Sequence, residues 1–100
     1  MHDVTGEHQD RPFDVEFTSS AKRDMKRLKK TVGLEACKRI FDTIQELETD
    51  PFPPGHERLT NQGGFCRIRV GAYRAIYSVS EASMVVTVSK VAHRRDVYRH

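Results

Sequence analysis

Hydrophobic and polar positions change period several times along this chain, and each change marks an element. From Phe13 to Phe17 apolar and polar residues alternate strictly, which predicts a half-buried strand. Ser19 or Ser20 then provides a cap for a helix over about 21–30, with Ala21, Met25 and Leu28 as its apolar stripe. Gly33 breaks that pattern. Cys37, Ile40, Phe41, Ile44 and Leu47 recur at helical spacing and predict a second helix over about 34–48, with these five residues in the core. Asp50-Pro51-Phe52-Pro53-Pro54-Gly55 stops it in a stiff loop, and Gly63-Gly64 is a further break. Period two returns over about 65–70, 73–79 and 84–92, with a turn at 80–83. Residues 1–12 show no periodicity and read as a flexible tail, leaving 13–100 as one compact domain. The order β-α-α-β-β-β predicts an α+β fold with two helices packed on one face of an antiparallel sheet.

The segment from Arg67 to Tyr77 holds the densest chemistry. Apolar residues alternate with arginines on both sides of Gly71-Ala72, and a two-residue loop with glycine first suits a type II′ hairpin. In that register Val70 pairs with Tyr73 and Arg69 pairs directly with Arg74. Strand parity puts Arg67 on the same face, while Cys66, Ile68, Val70, Tyr73, Ala75 and Tyr77 face the other way. Two like charges about 5 Å apart repel by roughly 0.8 kcal/mol in water and roughly 3 kcal/mol at an effective dielectric near 20. A sheet that carries this repulsion is built to hold an anion.

Charge distribution extends the argument. The chain has a net charge of +3, but residues 65–100 hold seven basic against two acidic groups, and the preceding residues hold ten against twelve. This asymmetry points to a polyanionic partner. The six lysines and arginines around the first helical stripe read instead as a solvated surface. The apolar runs are too short for a membrane span, and the polar N-terminus lacks a secretory pattern, so the expected location is the cytoplasm. Cys37 and Cys66 occupy apolar-face positions and read as reduced, buried thiols, with no metal-ligand spacing beside them. His2 and His8 read as incidental tail residues.

Phe17-Thr18-Ser19-Ser20-Ala21-Lys22-Arg23-Asp24, the Asp50-Pro51 helix exit, Leu59, the arginine hairpin 67–77 and Val91-Ala92-His93-Arg94-Arg95-Asp96-Val97-Tyr98-Arg99 occur in one consistent order. Together they resemble the RelE-like toxins of type II toxin–antitoxin systems, in the RelE/ParE superfamily. The resemblance spans roughly residues 13–99. It implies the fold derived above and ribosome-dependent cleavage of mRNA in the A site, which inhibits translation. It also implies a cognate antitoxin and the ribosome as partners, with no metal, small-molecule cofactor or membrane. The alternative within the superfamily is a ParE-like toxin that inhibits DNA gyrase without chemistry of its own.

The resemblance assigns Arg67, Arg69, Arg74, Arg94 and Tyr98 to catalysis. These residue types suit attack of an RNA 2′-hydroxyl on the adjacent phosphorus. Arginines offer permanently charged, bidentate donors to phosphate oxygens. Neighbouring cations would lower a tyrosine from its reference near 10, fitting Tyr98 as general base. Family members often carry lysine where Arg67 and Arg69 stand. An arginine hardly releases its proton, so these two are expected to stabilise charge. Histidine is the side chain that titrates near neutral pH, which makes His93 a second candidate for general acid beside Arg94. Lys90, Arg95 and Arg99 are candidate RNA contacts. The face of Lys90 stays open, because both parities of its strand contain polar residues.

Overall fold

The alternation from Phe13 builds an edge strand, β1 (Asp14–Phe17), and Thr18 turns it directly into a helix, α1 (Ser19–Val32). A computed structural model describes residues 12–59 and 64–97, so the N-terminal tail reading and the positions of Tyr98 and Arg99 fall outside the described residues. The cap is Thr18 rather than Ser19 or Ser20. Its backbone is extended (φ −67°, ψ 166°), whereas both serines already lie inside the helix. Thr18 Oγ1 accepts from the Ala21 N–H at 3.1 Å, satisfying one of the helix's first unpaired donors.

Gly33 closes α1, with φ at +90° and its N–H donated to the Lys29 carbonyl at 3.1 Å. Such a left-handed backbone strains any residue with a Cβ, so the expected break coincides with a conformational need. The second helix, α2 (Leu34–Gln45), tightens into a 3₁₀ turn at Glu46–Glu48. The strands that follow are β2 (Glu57–Arg58), β3 (Phe65–Val70), β4 (Tyr73–Ser80) and β5 (Val85–His93), and a short turn of helix, α3 (Arg94–Val97), comes last among the described residues.

The five strands form one sheet in the order β1-β5-β4-β3-β2. The expected antiparallel arrangement holds for β2–β3, β3–β4 and β4–β5, whereas β1 joins β5 in parallel, with Phe17 opposite Val88. Alternation reveals a buried face but not a strand's direction. Here both helices and three strands intervene between β1 and β5, enough chain for the crossover that a parallel pair needs.

One face of the sheet carries Cys66, Ile68, Ala75, Tyr77, Val86, Val88 and Val91, which bury against Ala21 and Leu28 of α1, Ile40 and Ile44 of α2, and Leu47. Tyr77 is fully buried and its hydroxyl donates to the Pro51 carbonyl at 2.7 Å, fastening the proline loop to the centre of the sheet. Cys37 and Cys66 are both buried and free. Phe41 departs from the expected core. It is 41% exposed and stacks on Phe17 with ring centroids 5.8 Å apart. Helical spacing placed it beside Ile40, but the core side of α2 is already filled by Cys37, Ile40 and Ile44. Among the described residues no helix is long and apolar enough to cross a membrane.

Candidate functional site: an arginine face on the sheet

Strand pairing places the arginines. Val70 opposes Tyr73, Arg69 opposes Arg74, and Arg67 opposes Ile76. Gly71 has φ +63° while Ala72 stays out of the left-handed region, as a type II′ turn requires. Cys66, Ile68, Ala75 and Tyr77 are buried on the helix side, so parity sends Arg67, Arg69 and Arg74 to the opposite face. The expected hairpin and its shared arginine face are both present.

A bulge settles the face of Lys90. Tyr77 opposes Val88 but Ile76 opposes Lys90, so Ser89 is an extra residue in β5. Its hydroxyl donates to the Ile76 carbonyl at 3.3 Å. Past this bulge the parity of β5 reverses. Val91 turns inward with Ala75, and Lys90 shares the outer face with Ile76 and the arginines.

Arg94 begins α3 where β5 ends. Its N–H donates to the Ala72 carbonyl at 2.8 Å, holding this residue beside the tip of the arginine hairpin. Two distant segments therefore converge at one end of the sheet. Arg94 and Arg95 are both exposed there.

His93 is not brought to the arginine face. It opposes Tyr73, whose side of β4 is the inward one, and the two rings meet edge to face with centroids 5.4 Å apart. Its Nδ1 accepts from the Arg95 N–H at 3.3 Å. Tyr73 and His93, with Asp24 and Arg27 of α1 and Lys90 of β5, line a cleft of about 550 Å³ along the β5 edge.

One residue of the site escaped sequence reasoning. Glu57 lies directly across from Arg67, and its Oε1 accepts from Arg67 Nε at 2.9 Å and also from Nη2. The Arg67 side chain is only 14% exposed and that of Glu57 is 55% exposed, so the carboxylate lies over a largely covered guanidinium. The hydrogen bond from Arg67 and then its charge hold the Glu57 carboxyl below the usual carboxylate range, with smaller contributions in the same direction from Arg69 and Arg74. Glu57 therefore feels all three hairpin guanidiniums. A two-residue strand is too short to display a period, which is why β2 left no signal in the sequence.

The fold and this face define a small basic α+β domain with permanently charged donors converging on one end of a sheet, suited to a phosphate-bearing polymer. Residues 15–98 match the family of the ParE toxin of type II toxin–antitoxin systems, parDE, and the chain belongs to that family, within the RelE/ParE superfamily. It is thus a toxin of a type II toxin–antitoxin system. Toxin RelG of Mycobacterium tuberculosis is 28% identical over 88 residues, covering 88% of this chain and 98% of the relative. The toxin–antitoxin complex RelBE2 of the same organism contains a chain that superimposes with a TM-score of 0.71 at 25% identity, covering 86% of this chain and 95% of that one. The archaeal RelE–RelB complex of Pyrococcus horikoshii OT3 shares the fold, with a TM-score of 0.68 at 22% identity over 89% of this chain and 99% of that one.

Proposed function

We propose that this toxin is a metal-independent endoribonuclease that cleaves mRNA in the ribosomal A site, in the cytoplasm, and so inhibits translation. The observation that carries this reading is the direct opposition of Arg69 and Arg74, with Arg67 and Lys90 on the same face and Arg94 tied to the hairpin tip. In the proposed reaction the RNA 2′-oxygen loses its proton and bonds to the adjacent phosphorus. The bond from phosphorus to the 5′-oxygen breaks, and that oxygen takes up a proton. The products are a 2′,3′-cyclic phosphate and a 5′-hydroxyl. Arg67, Arg69 and Arg74 stabilise the charge that accumulates on the phosphorane oxygens. Tyr98 is the proposed base, and Arg94, which like Arg67 and Arg69 holds its proton tightly, is proposed to hydrogen-bond the leaving oxygen and offset its charge as it takes up a proton from water. Arg95, Arg99 and Lys90 hold flanking phosphates.

A cognate antitoxin is the second partner of this reading. The structural relatives are described as toxin–antitoxin complexes, and a basic, partly apolar surface suits an acidic segment that folds on binding. The second reading, inhibition of DNA gyrase by contact alone, is favoured by the ParE description of the matching family. The arginine face favours the nuclease. Mapping of transcript 5′ ends after induction separates the two. New ends within translated codons are the expected result, and DNA damage with intact transcripts would establish the gyrase reading instead.

A further inference from the structure

The pairing of Glu57 with Arg67 has no role in the cleavage steps above, yet it occupies the guanidinium that those steps need. We propose that Glu57 is an internal stand-in for phosphate: its carboxylate engages Arg67 and must be displaced when an RNA phosphodiester binds there. This inference rests on the phosphate-binding reading of the arginine face.

Three features of the molecule carry it. First, Glu57 engages both Nε and Nη2 of Arg67, donors that an incoming phosphate oxygen would require in the same way. Second, the carboxylate is delivered by a strand of two residues at the edge of the sheet, paired to β3 through Glu57–Arg67 and Arg58–Cys66 and followed by one further backbone bond, from the Leu59 N–H to the Phe65 carbonyl at 2.9 Å. A short edge strand is among the least costly elements of a sheet to shift. Third, the Glu57 side chain is more than half exposed although Arg67 is largely covered, so the carboxylate is the mobile member of the pair and can turn to water when another anion takes its place. The hydrogen bond and charge of Arg67, with smaller contributions from Arg69 and Arg74, favour the charged form of this carboxyl, in keeping with its seat beside the arginines.

The device has a selective consequence. A monoanion that binds a single guanidinium must compete with Glu57 on equal terms. A polynucleotide contacts Arg69, Arg74 and Lys90 at the same time and can pull Arg67 away from the carboxylate. Glu57 therefore biases the face toward polymeric phosphates and compensates part of its positive charge before RNA binds.

The test uses the full chain and a labelled RNA decamer with 2′-O-methyl groups, which binds without supplying an attacking hydroxyl. Fluorescence anisotropy at several salt concentrations compares wild type with Glu57→Gln. The substitution is expected to tighten binding by about tenfold at low salt and to steepen the salt dependence by about 0.7, as one further phosphate contact predicts for a single strand. Glu57→Asp, which keeps the charge, is expected to bind like wild type. In an Arg67→Gln background the gain from Glu57→Gln should shrink below about twofold, since the two residues then no longer share an interaction. A gain that persists undiminished in that background would show Glu57 acting only through its general field, and weaker binding by Glu57→Gln would make it a residue that merely positions Arg67. Either result overturns the displacement while leaving the phosphate site standing. If wild type and Arg74→Ala bind the decamer equally, the phosphate reading itself fails and this inference fails with it.

Discussion

Arg69 and Arg74 are direct cross-strand partners, so the hairpin projects two like-charged side chains from opposed positions on one face. Like charges in this arrangement weaken a sheet by up to about 1 kcal/mol. Arg69, the more exposed of the two, is the informative one to replace. Arg69→Thr places a β-branched residue on the strand and removes the repulsion. It is expected to raise stability by about 0.5 kcal/mol in urea unfolding while lowering RNA cleavage. Arg74→Ala is expected to abolish toxicity with the circular dichroism spectrum and antitoxin binding unchanged. Loss of the fold in Arg74→Ala would mark that residue as structural instead.

That hairpin was legible in the sequence because period two, a glycine-first loop and the arginine spacing all point to one register. Gly33 as a break between helices was legible for the same reason. The features that were not legible are those that alternation leaves undetermined. The parallel direction of β1 depends on how the helices cross the sheet. The face of Lys90 depends on the Ser89 bulge, which shifts the parity of half a strand without changing residue types. Glu57 depends on a pairing with Arg67 ten residues away, across a stretch of sequence with no period of its own. His93 looked like a partner of Arg94 because the two are adjacent in sequence, yet His93 ends β5 on the inward side opposite Tyr73 and Arg94 begins a helix at the hairpin tip.

Tyr77 offers a test of the core that reads out in pH. Its hydroxyl is buried against the Pro51 carbonyl, and burial foremost pushes the phenol above the range in which tyrosine ordinarily titrates. The unfolded chain would release this proton near pH 10, and the folded chain holds it longer. The stabilisation is thus fully present below about pH 10 and is lost as pH rises toward the folded value. Urea unfolding at pH 9 and pH 11 should show a larger decline for wild type than for Tyr77→Phe. At neutral pH Tyr77→Phe is expected to cost about 1–2 kcal/mol, because the Pro51 carbonyl is left without its donor. Equal pH dependence in the two proteins would remove Tyr77 as the cause.

Asp24 fastens the first helix to the last strand. Its Oδ2 accepts from the Val91 N–H at 2.9 Å, just past the point where β1 stops pairing with β5. The carboxylate thereby satisfies an amide that the short parallel strand does not reach. Asp24→Ala is expected to lower stability by about 1–3 kcal/mol, and Asp24→Asn, which keeps an acceptor, by less. Arg27 is 73% exposed and its contact with Asp24 is long, at 3.4 Å, so Arg27→Ala should be nearly silent. Hydrogen exchange at the Val91 amide localises the effect. Unchanged protection there in Asp24→Ala would show that another group closes the strand edge.

His93 supplies the sharpest division between two accounts of proton delivery. A general acid is worth about 10² to 10⁴ in rate, so its removal is unmistakable. In this fold the imidazole meets the Tyr73 ring edge to face on the side of the sheet away from Arg74. That geometry makes it a packing residue at the rim of the α1–β5 cleft. Phenylalanine preserves a flat ring in contact with Tyr73 and removes every proton the side chain could give. His93→Phe is therefore expected to change stability by less than about 1 kcal/mol, the scale of an aromatic pair. Cleavage of translated mRNA should fall by less than about tenfold, below the contribution of a general acid. Arg94→Ala, at the hairpin tip, is expected to lose at least about 10²-fold. A loss of that size in His93→Phe with the melting temperature preserved would return the general acid to residue 93, and would require the end of β5 to turn over when RNA binds.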